Sequence, residues 1–202
     1  NQTGRSVTDL SQALYQAISA GIKTQDSLQF VTDAGKLAKG GFTDLTTATD
    51  VLTTALNAYH MKASSAAHVS DVLIGIQNNG KTTVNELSGS IGKAIPTAQA
   101  YNVSLEDLGT AYAVVTRNGV KTRVATTYIN GMLNELGKSG SKVSAILKQK
   151  TGMSFDELTK KGYSTRDVLG VLQKYCKDTG TKFTDLWSNT SAGKAALILA
   201  GK

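Results

Sequence analysis

The feature that most restricts how this sequence can fold is its punctuation. A Ser or Thr followed by an acid and then Leu recurs as "TVNEL" from Thr83, "SLEDL" from Ser104 and "SFDEL" from Ser154. Each fits a capping box, in which the hydroxyl accepts from an early backbone N–H and the acid at the third helical position returns a hydrogen bond. "FTDL" at Phe42–Leu45 and again at Phe183–Leu186 reads as a relaxed version, with an Asp in the first turn suiting the helix dipole. Glycines mark the other ends: Gly21, Gly40 with Gly41, Asn79 with Gly80, Asn118 with Gly119, Gly152, Gly162 and Gly180 each follow an apolar run. Glycine there can adopt the left-handed conformation that closes a helix.

Between these marks apolar residues recur every three or four positions, as in Leu10, Leu14, Ala17, Ile18 and in Val51, Leu52, Ala55, Leu56, Tyr59. That is the period of an amphipathic helix, and strict alternation of the strand type is nearly absent. The chain is therefore expected to be all-α, with segments at 7–22, 25–39, 44–60, 64–79, 83–101, 104–117, 122–137, 141–150, 154–161, 165–179 and 183–200. Pro96 is expected to kink the 83–101 segment or restart it at Thr97. The cap spacing is irregular, which argues against a solenoid repeat. A single straight helix of 202 residues would extend about 300 Å. The breaks predict instead a compact multi-helix domain of antiparallel helical hairpins, about 9 to 11 short helices, over 1–202. If the chain divides into two lobes, the cut falls at "GKSGSK", residues 137–142.

Hydrophobic residues make up 40% of the chain but aromatics only 6%, which predicts thin, small-residue contacts between helices. Cys176 is the one cysteine, so no internal disulfide forms. The longest obvious apolar run, "AALILA", is too short to span a bilayer. The chain opens on Asn1 without an initiator Met, which reads as a piece excised from a longer protein. Its formal charge of +7 lies wholly in residues 102–202. A basic half of this kind can follow DNA, although lysines mixed with acids at helical spacing read first as a solvated face.

"GIQNNGKT", Gly75 to Thr82, matches the phosphate-loop pattern G-x-x-x-x-G-K-[ST]. A P-loop-like nucleotide site at 75–82 needs a buried strand ahead of it, and only Val72, Leu73 and Ile74 could supply one. Ala66, Val69, Val72, Leu73 and Ile76 form a helical stripe instead. On that reading Gly80 closes one helix with φ > 0, Thr83 starts the next with Glu86 completing the cap, and Gly75 is a thin spot where something packs close. The remaining candidates are structural by default. His60 and His68 each sit near a helix end, Cys176 lies on a helical face, and Glu106/Asp107 and Asp156/Glu157 occupy first turns. "TRNGVKTR", Thr116 to Arg123, sets Arg117, Lys121 and Arg123 around an Asn-Gly turn that could touch phosphates but reads first as a helix end followed by a Thr122 cap.

Long blocks carry a resemblance: "FVTDAGKLAKGGFTDLTTATDVLTTALNAYH", "SDVLIGIQNNGKTTVNELSGSIGKAIPTAQAYNVSLEDL", "AYAVVTRNGVKTRVATTYINGMLNEL" and "WSNTSAGKAALILAG". From about Leu10 onward the sequence resembles the core region of tailed-phage tail tape measure proteins. The resemblance implies a structural, non-enzymatic role in a phage or prophage tail. It implies a protein that sets tail-tube length during assembly and leaves when the genome is delivered. It further implies location in the tail lumen of the virion, and in the host cytoplasm during assembly. Implied partners are other copies of itself and the tail tube, tail tip and tail assembly chaperone proteins. No catalytic, cofactor or metal residue is carried over.

Overall fold

A computed structural model describes residues 6–201. Among these residues every regular element is helical, with twelve α-helices and three short 3₁₀ turns. They are α1 (Val7–Ser19), α2 (Thr24–Gly40), α3 (Leu45–Ala58), α4 (Ala66–Asn79), α5 (Val84–Ser88), α6 (Ile95–Ala100), α7 (Leu105–Arg117), α8 (Thr122–Gly137), α9 (Lys142–Thr151), α10 (Phe155–Lys160), α11 (Thr165–Thr179) and α12 (Thr190–Leu199). The all-α reading holds.

Two expected segments are shorter than their periodicity suggests. The 83–101 segment breaks into α5, a 3₁₀ turn at Ile91–Lys93 and α6. Pro96 does not restart the helix at Thr97; it stands in the first turn of α6, which begins at Ile95, where a missing N–H leaves no intrahelical bond unmade. The 183–200 segment breaks likewise. Its "FTDL" is a 3₁₀ turn, and α12 starts after Asn189, whose side chain accepts from the amides of Ser191 and Ala192. In the first "FTDL", Asp44 is itself the N-cap of α3, accepting from the Thr47 amide at 2.7 Å.

The capping boxes are kept in part. Ser154 with Glu157 forms the full reciprocal pair, and so does Ser164 with Asp167 at α11, which the Ser/acid/Leu pattern does not pick out. Thr83 and Ser104 accept from Glu86 N and Asp107 N as expected, but the acids do not reciprocate. Each carboxylate is drawn to another helix instead.

Helices α1, α2 and α3 pack on one another, α4 joins α2 to α7, and α8 pairs with α7 and α12. Helix α9 bridges α8 and α11. One hydrophobic cluster runs from Ala13 to Leu199, and much of it is alanine: Ala34, Ala48, Ala55, Ala66, Ala125, Ala192 and Ala195 are all fully buried. The thin contacts expected from composition are there. A Cβ on Gly109 of α7 would sit 3.1 Å from Val72 of α4, and one on Gly131 of α8 would sit 3.6 Å from the Ala192 Cβ of α12. A Cβ on Gly137 would overlap the Tyr101 ring. Tyr112, the largest fully buried side chain among the described residues, crosses from α7 to bond Thr126 of α8 at 2.7 Å; burial pushes its phenol up to about 12.

Gly21, Gly119, Gly152, Gly162 and Gly180 take positive φ, as the end signals predict. Gly80 and Gly41 do not. Gly80 has φ −114 and is extended, yet a Cβ there would come within 2.8 Å of the Ile76 carbonyl oxygen and 3.1 Å of the Ala113 Cα. Gly41 has φ −89 and is wedged against Val84, so the left-handed residue after α2 is Phe42, with φ 51. Both glycines are needed for close approach rather than for handedness. Gly75 is the reverse case, since a Cβ there meets nothing within 4 Å.

Gly80→Ala is therefore expected to cost about 1–3 kcal/mol through overpacking, and Gly75→Ala to be neutral or stabilising by up to about 1 kcal/mol. Urea unfolding of the two variants measures this; equal effects would contradict the packing account. The caps also make stability pH-dependent. The Thr47 amide holds the Asp44 carboxyl below its ordinary value, the Ser154 amide does the same for Glu157, and the Ser164 hydroxyl and amide do so for Asp167. A depressed folded pKa contributes stability above the unfolded value and loses it as pH falls through the folded value. The loss is thus expected to begin near about pH 5 and to deepen below about pH 4. Urea midpoints at about pH 6 and about pH 3 should differ, and Asp167→Ala should narrow the difference.

Candidate functional site

The phosphate-loop match is excluded by the backbone. Residues 72–74, where a strand is required, lie inside α4, which continues to Asn79. The amides from Gly75 onward are taken up in helical bonding, ending with Gly80 N donating to Ile76 O at 2.8 Å. A phosphate cradle needs those amides turned outward.

The structure brings together two stretches that the sequence presents separately. The turn after α4 carries Lys81 and Thr82, and the end of α7 with the start of α8 carries Thr116, Lys121, Thr122 and Arg123. Lys81 N donates to Thr116 Oγ1 at 3.2 Å. The Thr82 and Thr122 hydroxyls lie 2.8 Å apart, and both reach Glu86 Oε2, at 3.2 and 2.9 Å. With the carboxylate ionised, this triangle of three oxygens holds two hydroxyl protons. Glu86 thus fastens α5 to the start of α8 instead of closing its own cap. Beside the triangle is an open pocket lined by Lys81, Ser90, Gly119, Lys121 and Arg123 among others. Arg117 lies outside that pocket.

Two further carboxylates act between helices. Asp107 of α7 accepts from the Thr165 amide at 2.8 Å and from its hydroxyl at 2.6 Å, holding the first turn of α11. Glu135, a buried residue of α8, accepts from Ser188 N at 3.0 Å, Ser188 Oγ at 2.9 Å and Asn189 N at 2.6 Å, just ahead of α12. Nothing in the local sequence marks Glu135. Its only signal is an acid on the apolar face of α8, between Met132, Leu133 and Leu136.

The other candidates are dispersed. His68 Nε2 meets Glu106 Oε1 at 2.6 Å, tying α4 to α7 on the surface. Burial opposes ionisation of Glu106, but its backbone amide and the His68 bond outweigh this and hold its carboxyl below the ordinary value. His60 ends α3 in a left-handed conformation, with φ 52. Asp156 accepts from the Ser154 hydroxyl at 2.6 Å, and Cys176 is buried on α11. Glu106 and Asp107, adjacent in sequence, serve different helices and do not converge on a common point. Among the described residues no group of three or more His, Cys, Asp or Glu is placed to hold a metal ion, and no helix is long and apolar enough to cross a membrane.

Glu135→Ala is expected to cost about 2–4 kcal/mol, because three donors lose a charged acceptor in a buried setting. Glu135→Gln, which keeps one acceptor oxygen, should recover part of that. Thermal unfolding of both variants provides the measurement, and an alanine effect under about 0.5 kcal/mol would show that water replaces the carboxylate.

The chain is 37% identical over 210 aligned positions to the "Probable tape measure protein" of Clostridium phage phiCD119, covering 99% of this chain and 22% of that protein. It is 22% identical over 154 positions to the "Tape measure protein" of Pneumococcus phage Dp-1, covering 76% of this chain and 13% of the relative. The chain thus spans about a fifth or less of the length of these relatives. No solved structure matches it significantly. The family model described as "Phage-related minor tail protein" matches residues 1–197, and the chain belongs to that family.

Proposed function

We propose that this chain is a helical segment of a tape measure protein, a structural component of a phage or prophage tail. The observation that carries the reading is the 37% identity to a tape measure protein over 99% of the chain. On this reading the parent protein sets tail-tube length during assembly and leaves the tube when the genome is delivered. It resides in the tail lumen of the virion, after assembly in the host cytoplasm. Its partners are further copies of itself and the tube, tip and assembly chaperone proteins. Residues 6–201 act as one helical domain with no catalytic role.

The physical form of the segment supports a positional role in the tail. Its longest helix, α2, has 17 residues and so measures about 25 Å. Stretched as one helix the segment would run about 300 Å. A folded domain of this kind marks or anchors a position in the tail, and uninterrupted helices elsewhere in the parent protein do the measuring.

In-frame duplication of residues 6–201 in the parent gene is expected to leave tail length nearly unchanged, whereas an uninterrupted helix of equal residue count should lengthen it by about 300 Å. Electron microscopy of purified tails gives the lengths. A duplication that lengthens the tail as much as the helix does would show that the segment is extended in the tube. Absence of its peptides from purified tails by mass spectrometry would remove the tail assignment itself.

A further inference from the structure

We propose that the pocket at the start of α8 is an oxyanion site that takes a phosphate group. Three cations surround it, Lys81, Lys121 and Arg123, all exposed, and none forms an ion pair among the described residues. Helix α8 runs 16 residues, Thr122–Gly137, so its N-terminus carries a full dipole. The Val124 amide donates to the Lys121 carbonyl oxygen at 2.8 Å, and Lys121, the N-cap residue, supplies no side-chain cap, which leaves the amides of Thr122 and Arg123 for a ligand. The second, independent observation is Ser90. It lines the pocket, is only 6% exposed, and its hydroxyl makes no hydrogen bond to the described protein. The residue is buried while its hydroxyl borders the open pocket without a protein partner, so it is free to donate to a bound oxygen.

Helix amides, a hydroxyl and three cations around one small volume match the oxygens of a phosphate group and not an apolar ligand. This is not the cradle suggested by "GIQNNGKT": the amide donors belong to α8, the amides of residues 75–80 take no part, and the motif contributes only the Lys81 side chain. Glu86 is the opposing charge. Its carboxylate already holds the Thr122 hydroxyl at 2.9 Å and so weakens the field that an incoming anion meets. The inference is independent of the tail assignment, because it rests on this pocket alone.

Two sources of phosphate fit, a free anion and the backbone of a nucleic-acid strand, and two probes separate them. The labelled chain is titrated at low ionic strength with inorganic phosphate and with a short single-stranded oligonucleotide, following amide shifts against a chloride control. Saturable shifts at Ser90, Thr122 and Arg123 are expected. Lys121→Ala with Arg123→Ala should weaken binding about tenfold or more. Ser90→Ala should weaken it too, and Glu86→Gln, which keeps an acceptor for the two threonines, should tighten it several-fold. Lys121, Arg123 and Glu86 are exposed, so unchanged shifts elsewhere will certify that these variants fold. Oligonucleotide binding displaced by phosphate assigns the polymer as the source; phosphate binding alone assigns the free anion. No saturable shift with either probe, in wild type and in Glu86→Gln alike, overturns the proposal. So do shifts spread over all lysines and insensitive to Lys121 and Arg123.

Discussion

Helix ends are the constraint on which this structure depends. Every α-helix leaves its first amides and last carbonyls unpaired, and the twelve short helices of the described residues have many such ends to satisfy near the core. Local side chains meet much of the need: Ser6, Asp44, Thr83, Ser104, Ser141 and Asn189 each accept from the helix they begin. The rest is met from a distance. Asp107 of α7 holds the start of α11, and Glu135 of α8 holds the chain entering α12. These bonds join capping, ordinarily a local matter, to tertiary packing.

The second condition is thinness. Alanines and glycines on facing helices allow backbones to approach, and short helices then find enough contact without large side chains. Gly109 lets α7 meet Val72 and Ile76 of α4, and Gly80 lets the turn after α4 lie on Thr116 and Ala113 of α7. The two conditions meet in this turn. Close approach at Gly80 brings Thr82 within reach of Thr122, and Glu86 then bridges them. The same turn reads as a nucleotide motif when seen as letters alone. A glycine, a lysine and a threonine serve a helix junction as well as a phosphate loop, and only the strand that is missing from residues 72–74 separates the two.

In this member of a phage minor tail family, the carboxylate pairs and His68 are spent on structure. Paired carboxylates at 106–107 and 156–157 are engaged in caps and interhelical bonds, and His68 pins α4 to α7. Each break in the helical chain turns it back on itself, so the described residues pack as short neighbouring helices and not as one extended rod.

Sequence alone determined the class of the fold, most of the helix limits and the thin character of the core. These follow from period, caps and composition, each a property of neighbouring residues. Five of the expected glycine stops, from Gly21 to Gly180, have the left-handed backbone that the pattern implies. Tertiary structure decided the rest. Gly80 and Gly41 are glycines because of Ala113 and Val84, residues distant in sequence. Glu86 and Asp107 do not close their own caps; they accept instead from hydroxyl and amide donors that another helix presents. Glu135 looked like an acid misplaced on an apolar face until α12 was folded against it. The pocket beside α8 exists only where the turn after α4 meets the start of α8. A pattern records what each residue prefers among its neighbours, and a carboxylate's final partner is chosen by whichever donors the packing brings to it.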